Sequence, residues 1–86
     1  MLNGGFFHEQ ASAFADRLEV DTAGDVDEQV ARALSLALSR EPTDEEVARG
    51  TALIAAWKSE DGLDTRTALE YYCLLVLNLN EFVYLD

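Results

Sequence analysis

The stretch Arg40-Glu41-Pro42-Thr43-Asp44-Glu45-Glu46 separates two helices and starts the second of them. Pro42 cannot continue a helix, and it pushes the residue before it out of helical geometry. Thr43 and Glu46 then match a capping box, in which the threonine side chain accepts a hydrogen bond from the glutamate amide and the glutamate side chain reaches back. The pattern predicts a helix that starts at Thr43 and ends at about residue 57 or 59.

The apolar stripe of this third helix contains a glycine. Val47, Gly50, Ile54 and Trp57 recur at helical spacing and share one face. A glycine inside a helix costs roughly 1 kcal/mol relative to alanine, unless it lets a neighbouring segment approach closely. Gly50 therefore either weakens the third helix or allows a neighbouring backbone to approach it closely, and the sequence leaves both open.

Two further helices are predicted upstream of Pro42. The first runs from about Gly5 to Glu19 and is ended by residues 20–24. Asp25 then caps a second helix, and the acids that follow it suit the positive first turn. The apolar faces of the two helices are formed by Phe7, Ala11, Phe14 and Leu18, and by Val30, Leu34, Ala37 and Leu38.

The fourth helix, capped by Asp64 or Thr65, is apolar nearly all round. Such a helix is typically buried in a core, so we expect it at the centre with the three amphipathic helices around it. Together these features predict an all-α fold, a small four-helix bundle-like domain with a central apolar C-terminal helix. One domain is expected over residues 1–86, because the length is too short for two.

The chain ends in a polar interruption followed by an aromatic segment. Asn80 is predicted to end the fourth helix. Four large apolar residues at a free end would form an exposed patch, so we expect residues 82–85 to lie extended and to fold back over the first and fourth helices.

Acidity restricts the classes of partner. The 86 residues include 17 Asp and Glu against 6 Lys and Arg, a formal net charge of −11. Such a charge repels phosphate backbones and anionic head groups, so we expect neither a nucleic-acid partner nor membrane insertion.

No residue pattern indicates catalysis or a cofactor. The one histidine, His8, has no evident partner, and the one cysteine, Cys73, lies on an apolar helix face where a buried, inert thiol is expected. The carboxylates at 21–28 and at 60–64 fail the EF-hand spacing and are simpler to interpret as helix-start acids. We therefore predict no catalytic residue, no metal site and no cofactor in this chain.

In the order 2–11, 37–46 and 77–86, three segments of the chain resemble the C-terminal domain of unknown function of planctomycete cytochrome c-like multidomain proteins. Residues 37–46 are similar to that family's "aLxRePTxeE" segment, and residues 77–86 to its closing "LLNsNEFlyvD". Leu2-Asn3, Phe6-Phe7 and Glu9-Gln10-Ala11 are similar to its "LNdpFvxEQA" segment. The resemblance implies a C-terminal fragment of a long, exported protein, and it supplies no catalytic residue. Leu79 stands where the family tends to have a small polar residue, which weakens the case for a polar ligand site there.

Three functions remain open at this point, the remotest of which is a stand-alone acidic regulator. The first is a structural or protein-interaction module that packs against the rest of its parent protein or a partner, with Asn80, Glu81 and Tyr84 as candidate contacts. The alternative is a share of an active site completed by other domains of an enzyme, to which the same tail residues would contribute. Exposed polar and aromatic side chains at the tail would favour the enzyme, and their burial would favour the module.

Overall fold

A computed structural model shows four α-helices joined by short turns, which confirms the all-α prediction. It describes the backbone of residues 4–85 and the side-chain surroundings of residues 9–78. No strand occurs within residues 4–85. The helices are α1 (Gly4–Thr22), α2 (Val26–Leu38), α3 (Asp44–Glu60) and α4 (Thr65–Leu85).

Two helices share the centre of the bundle. As predicted, α4 contacts the other three helices, but α2 contacts all three as well. Helices α1 and α3 do not touch within the described residues, so they lie on opposite sides of the α2–α4 pair. The largest fully buried side chains come from α1, α2 and α4: Leu18, Val30, Cys73 and Val76.

The predicted caps on three helices are confirmed. Thr43 and Glu46 form the capping box, with the Glu46 amide donating to Thr43 Oγ1 at 3.1 Å and the Thr43 amide donating to Glu46 Oε1 at 2.8 Å. Asp25 Oδ1 accepts from the Asp27 amide at 3.0 Å. Of the two candidates at the start of α4, Asp64 is the cap, because its Oδ1 accepts from the Thr67 amide at 2.7 Å.

Helix α1 continues three residues beyond its predicted end at Glu19, because the true breakers are Ala23 and Gly24. Thr22 is still helical, and its hydroxyl donates to the Leu18 carbonyl at 2.7 Å, a bond a helical threonine can form. The next two residues have positive φ values of 54° and 91°, which reverse the chain into α2 within three residues. Glycine adopts such a conformation freely, whereas alanine does so at a cost.

Gly50 lies at a close packing contact, and its neighbours there are side chains rather than a backbone. A Cβ at this position would lie 2.6 Å from the phenol oxygen of Tyr72 and 2.6 Å from Cγ1 of Val30. Both distances are shorter than van der Waals contact. At Gly50, side chains of α2 and α4 therefore pack directly against the backbone of α3.

The prediction that Asn80 ends α4 is wrong, since the helix runs to Leu85. Asparagine in a helix interior costs well under 1 kcal/mol, and neither glycine nor proline follows Gly62 in the chain. The segment 82–85 is consequently helical rather than extended, so the predicted fold-back is corrected with it. The burial of its side chains lies outside the described residues.

Candidate functional site

The predicted contact residues Asn80, Glu81 and Tyr84 occupy the last turns of α4. Their side chains, like that of His8, lie outside the described residues. Their role as partner contacts therefore stays a prediction. The same holds for the comparison of exposed and buried tail residues that would separate the module from the enzyme.

The carboxylates between Asp21 and Glu28 serve the helix ends. Asp25 caps α2, and Asp21 lies 3.7 Å from Arg32 and 3.9 Å from Arg17. Asp27 Oδ1 accepts from the Thr51 hydroxyl at 3.0 Å, which ties α2 to α3. Among the side chains of residues 9–78, no group of three or more His, Cys, Asp or Glu is placed to hold a metal ion.

Cys73 is fully buried between Leu69, Tyr72 and Val76 along α4, as predicted. Burial raises the pKa of its thiol to about 12. Because the thiolate is the reactive form, this cysteine stays protonated near neutral pH. Its environment is that of a small apolar core residue.

Arg66 is the centre of the largest ion-pair cluster in the described chain. Its Nη2 lies 2.8 Å from Asp16 Oδ1, its Nη1 2.8 Å from Glu19 Oε1, and its Nε 2.7 Å from Glu70 Oε2. Nη2 also donates to the carbonyl of Ser12 at 3.1 Å. These bonds raise the pKa of Arg66 further above its ordinary value. The guanidinium joins α1 to α4, and its donors are nearly all used, so its role is structural.

The residues that carry the resemblance around Pro42 also have a structural role. Arg40 forms a two-pronged ion pair with Glu46, at 3.1 Å from Nη1 to Oε1 and 2.8 Å from Nη2 to Oε2. The hydrogen bond and charge of Arg40, with the Thr43 amide, lower the pKa of Glu46 to about 2. Arg40, Thr43 and Glu46 thus lock the α2–α3 turn.

The outward side of α4 is an uncharged surface, which we call the α4 face and define as Tyr71, Leu75 and Asn78. The tyrosine is 43% exposed and the leucine 38% exposed. No charged residue occurs from Tyr71 to Asn80. The expectation that α4 is buried all round is therefore corrected, because three neighbouring helices cover a helix on only part of its circumference. Within residues 4–85, no helix is both long and apolar enough to cross a membrane.

Sequence reasoning missed the Arg66 cluster and the α4 face for different reasons. The pair Arg66 and Glu70 has i,i+4 spacing and was open to detection. Its partners on α1 are about fifty positions away, and no local pattern links them. The exposed stripe could not be predicted from the sequence, because Tyr71 and Leu75 have the same apolar character as their buried neighbours.

Comparisons with known proteins found no match, so these surfaces are interpreted from their geometry alone. No protein-family model matches the chain, and neither the curated proteins nor the solved structures contain a significant match.

Proposed function

We propose that this chain is a helical interaction module that packs through the α4 face against a protein surface. That surface belongs to the rest of a longer parent protein or to a separate partner. The observation that carries the proposal is an uncharged stripe with Tyr71 43% and Leu75 38% exposed on a chain of net charge −11. Tyrosine is enriched at interfaces because its ring offers a large apolar surface. Its hydroxyl can form hydrogen bonds both in water and in a buried contact.

The surroundings of the stripe support a pre-formed surface. Trp57 packs edge-on against the Tyr71 ring, with ring centroids 6.0 Å apart and planes at 84°. This contact restricts the ring, so less side-chain entropy is lost on binding. The resemblance to the end of long multidomain proteins supports a parent that this module packs against.

Site-specific photo-crosslinking tests the proposal. A photoreactive phenylalanine analogue is placed at position 75 on the α4 face, with exposed position 52 on α3 as the matched control. The labelled chain is mixed with the proteins of the cells that produce it, and the mixture is then irradiated. We expect one discrete adduct from position 75 that excess unlabelled chain competes away and that Tyr71→Lys weakens. Absence of that adduct, or the same adducts from position 52, would contradict the proposal.

A further inference from the structure

A groove separate from the α4 face runs along the outside of α2 and α3. It consists of two adjoining hollows of about 620 and 610 Å³. The hollows share Glu28 and Ala31 of α2 with Asp44 and Val47 of α3. None of the lining residues belongs to α4, so the groove and the α4 face are independent surfaces.

The middle of the groove is apolar and shallow-walled. Ala31, Val47 and Ala48 form it, and none of the three is fully buried. Two of them are alanines, so the backbone of an incoming segment meets little side-chain bulk. From Asp27 to Ser35, α2 borders the groove over about 12 Å, a length of about two helical turns.

Both ends of the groove are negative, because α2 and α3 run antiparallel and each carries acids in its first turn. Asp27 and Glu28 lie at one end, and Asp44 lies at the other. Within residues 9–78, neither Glu28 nor Asp44 has an arginine or lysine nitrogen within 4.0 Å. The one lining cation, Arg32, lies beside Asp21 instead.

We propose that this groove binds an amphipathic helix of a partner protein, with cations at i and i+7 and small or apolar residues at i+3 and i+4. Asp27 is hydrogen-bonded to Thr51, which lies seven residues after Asp44 in α3, so the two acidic ends of the groove are about 10 Å apart along the helix. Cations at i and i+7 of a bound helix are separated by the same length, so one can approach Glu28 and the other Asp44. The apolar residues between them face Ala31 and Val47, as in other helix-in-groove complexes.

A second copy of this chain does not supply such a helix. Its 6 Lys and Arg include no two that are seven positions apart. The occupant is therefore a basic segment of another chain. The inference rests on the proposed function and names the chemistry of a partner for a second surface of the same module.

Two designed peptides and two variants test the groove. The first peptide is a four-turn helix with lysines at i and i+7 and alanine or leucine between them. The second has the same composition with its lysines moved to opposite faces. Binding is measured by fluorescence anisotropy at physiological salt. The groove variant is Glu28→Gln/Asp44→Asn, and the matched control Glu9→Gln/Glu60→Gln removes the same charge from exposed positions outside the groove.

We expect the first peptide, whose lysines share one face (the phased peptide), to bind more tightly than the second, whose lysines lie on opposite faces. The affinity of the phased peptide should fall about tenfold in the groove variant, since each exposed ion pair contributes modestly, and less than about twofold in the control. Equal losses in the two variants, or no binding of the phased peptide, would overturn the inference. If either of these two results were found together with a discrete adduct at position 75, the proposed function would still be supported. Only the proposal for the groove would then be rejected.

Discussion

The α1–α4 contact and the α2–α3 contact share one apolar core but differ in the interaction at their centres. Between α1 and α4, Arg66 gathers carboxylates from both helices at 2.7 to 2.8 Å. Between α2 and α3, the central feature is an absent side chain, because Gly50 lets Val30 and Tyr72 occupy the space of a Cβ. The first contact should respond to salt and charge, and the second to volume. The difference teaches that one arginine can join several acids at one helix contact, whereas a neighbouring contact depends on the absence of a side chain.

Gly50→Ala should break the volume-controlled contact and produce the largest effect. The new Cβ would meet Val30 and the Tyr72 ring at 2.6 to 2.9 Å. All three contacts are shorter than 3.0 Å, so we expect the upper end of the usual overpacking cost of about 1–3 kcal/mol. A gain in helix propensity of about 1 kcal/mol offsets part of this cost. We expect a net loss of about 2 kcal/mol in the free energy of unfolding, measured with urea. The double variant Gly50→Ala/Val30→Ala should lose less than the sum of its two single changes, and strict additivity would argue against a steric cause.

Arg66→Met should break the charge-controlled contact. It leaves three carboxylates near one another without their cation while keeping most of the apolar volume. Because the side chain is 32% exposed, water screens part of the loss, and we expect about 1–2 kcal/mol. The loss should shrink as salt is added, whereas the loss from Gly50→Ala should not. An Arg66→Met effect that is indifferent to salt would mean that packing of the side chain stem dominates.

Thr43→Ala tests the turn that leads into α3. The change removes the acceptor for the Glu46 amide, and loss of such a cap typically costs about 1 kcal/mol. Thr43→Ser keeps the hydroxyl and should retain most of the stability. If both variants kept the wild-type denaturation midpoint, the Arg40 and Glu46 pair alone would be holding the turn.

The pH dependence of the same turn should be the smallest effect. The pKa of Glu46 is lowered from 4.5 to about 2 in the folded chain. Its stabilising contribution is therefore fully present above about pH 4.5 and is lost as the pH falls to about 2. The stability difference between the wild type and Glu46→Gln should narrow across that window. A difference that stayed constant from pH 5 to pH 2 would contradict the ion pair with Arg40.

Local signals in the sequence were sufficient to predict where the helices start. They were insufficient to predict which surfaces the folded chain exposes. Thr43 with Glu46, and Asp25, act within three residues, so their caps follow from spacing alone. The end of α4 was mispredicted because the cost of Asn80 in a helix is small compared with that of a proline or glycine. The groove was also out of reach, since it depends on how two helices separated by a turn sit beside each other. Tyr71 is exposed because the described residues of the other helices do not cover all of that side of α4. This depends on the arrangement of the helices and not on a local pattern.

The arrangement of α1 and α3 on opposite sides of α2 and α4 divides the chain into parts that can open separately. Because α1 and α3 share no contact within the described residues, either one can detach while the other keeps its packing on the central pair. Local opening of this kind requires less free energy than global unfolding. Native-state hydrogen exchange should therefore show the amides near Val30 and Val76 exchanging only by global unfolding. Those of α1 and α3 should exchange earlier and independently, and Arg66→Met should accelerate α1 while leaving α3 unchanged.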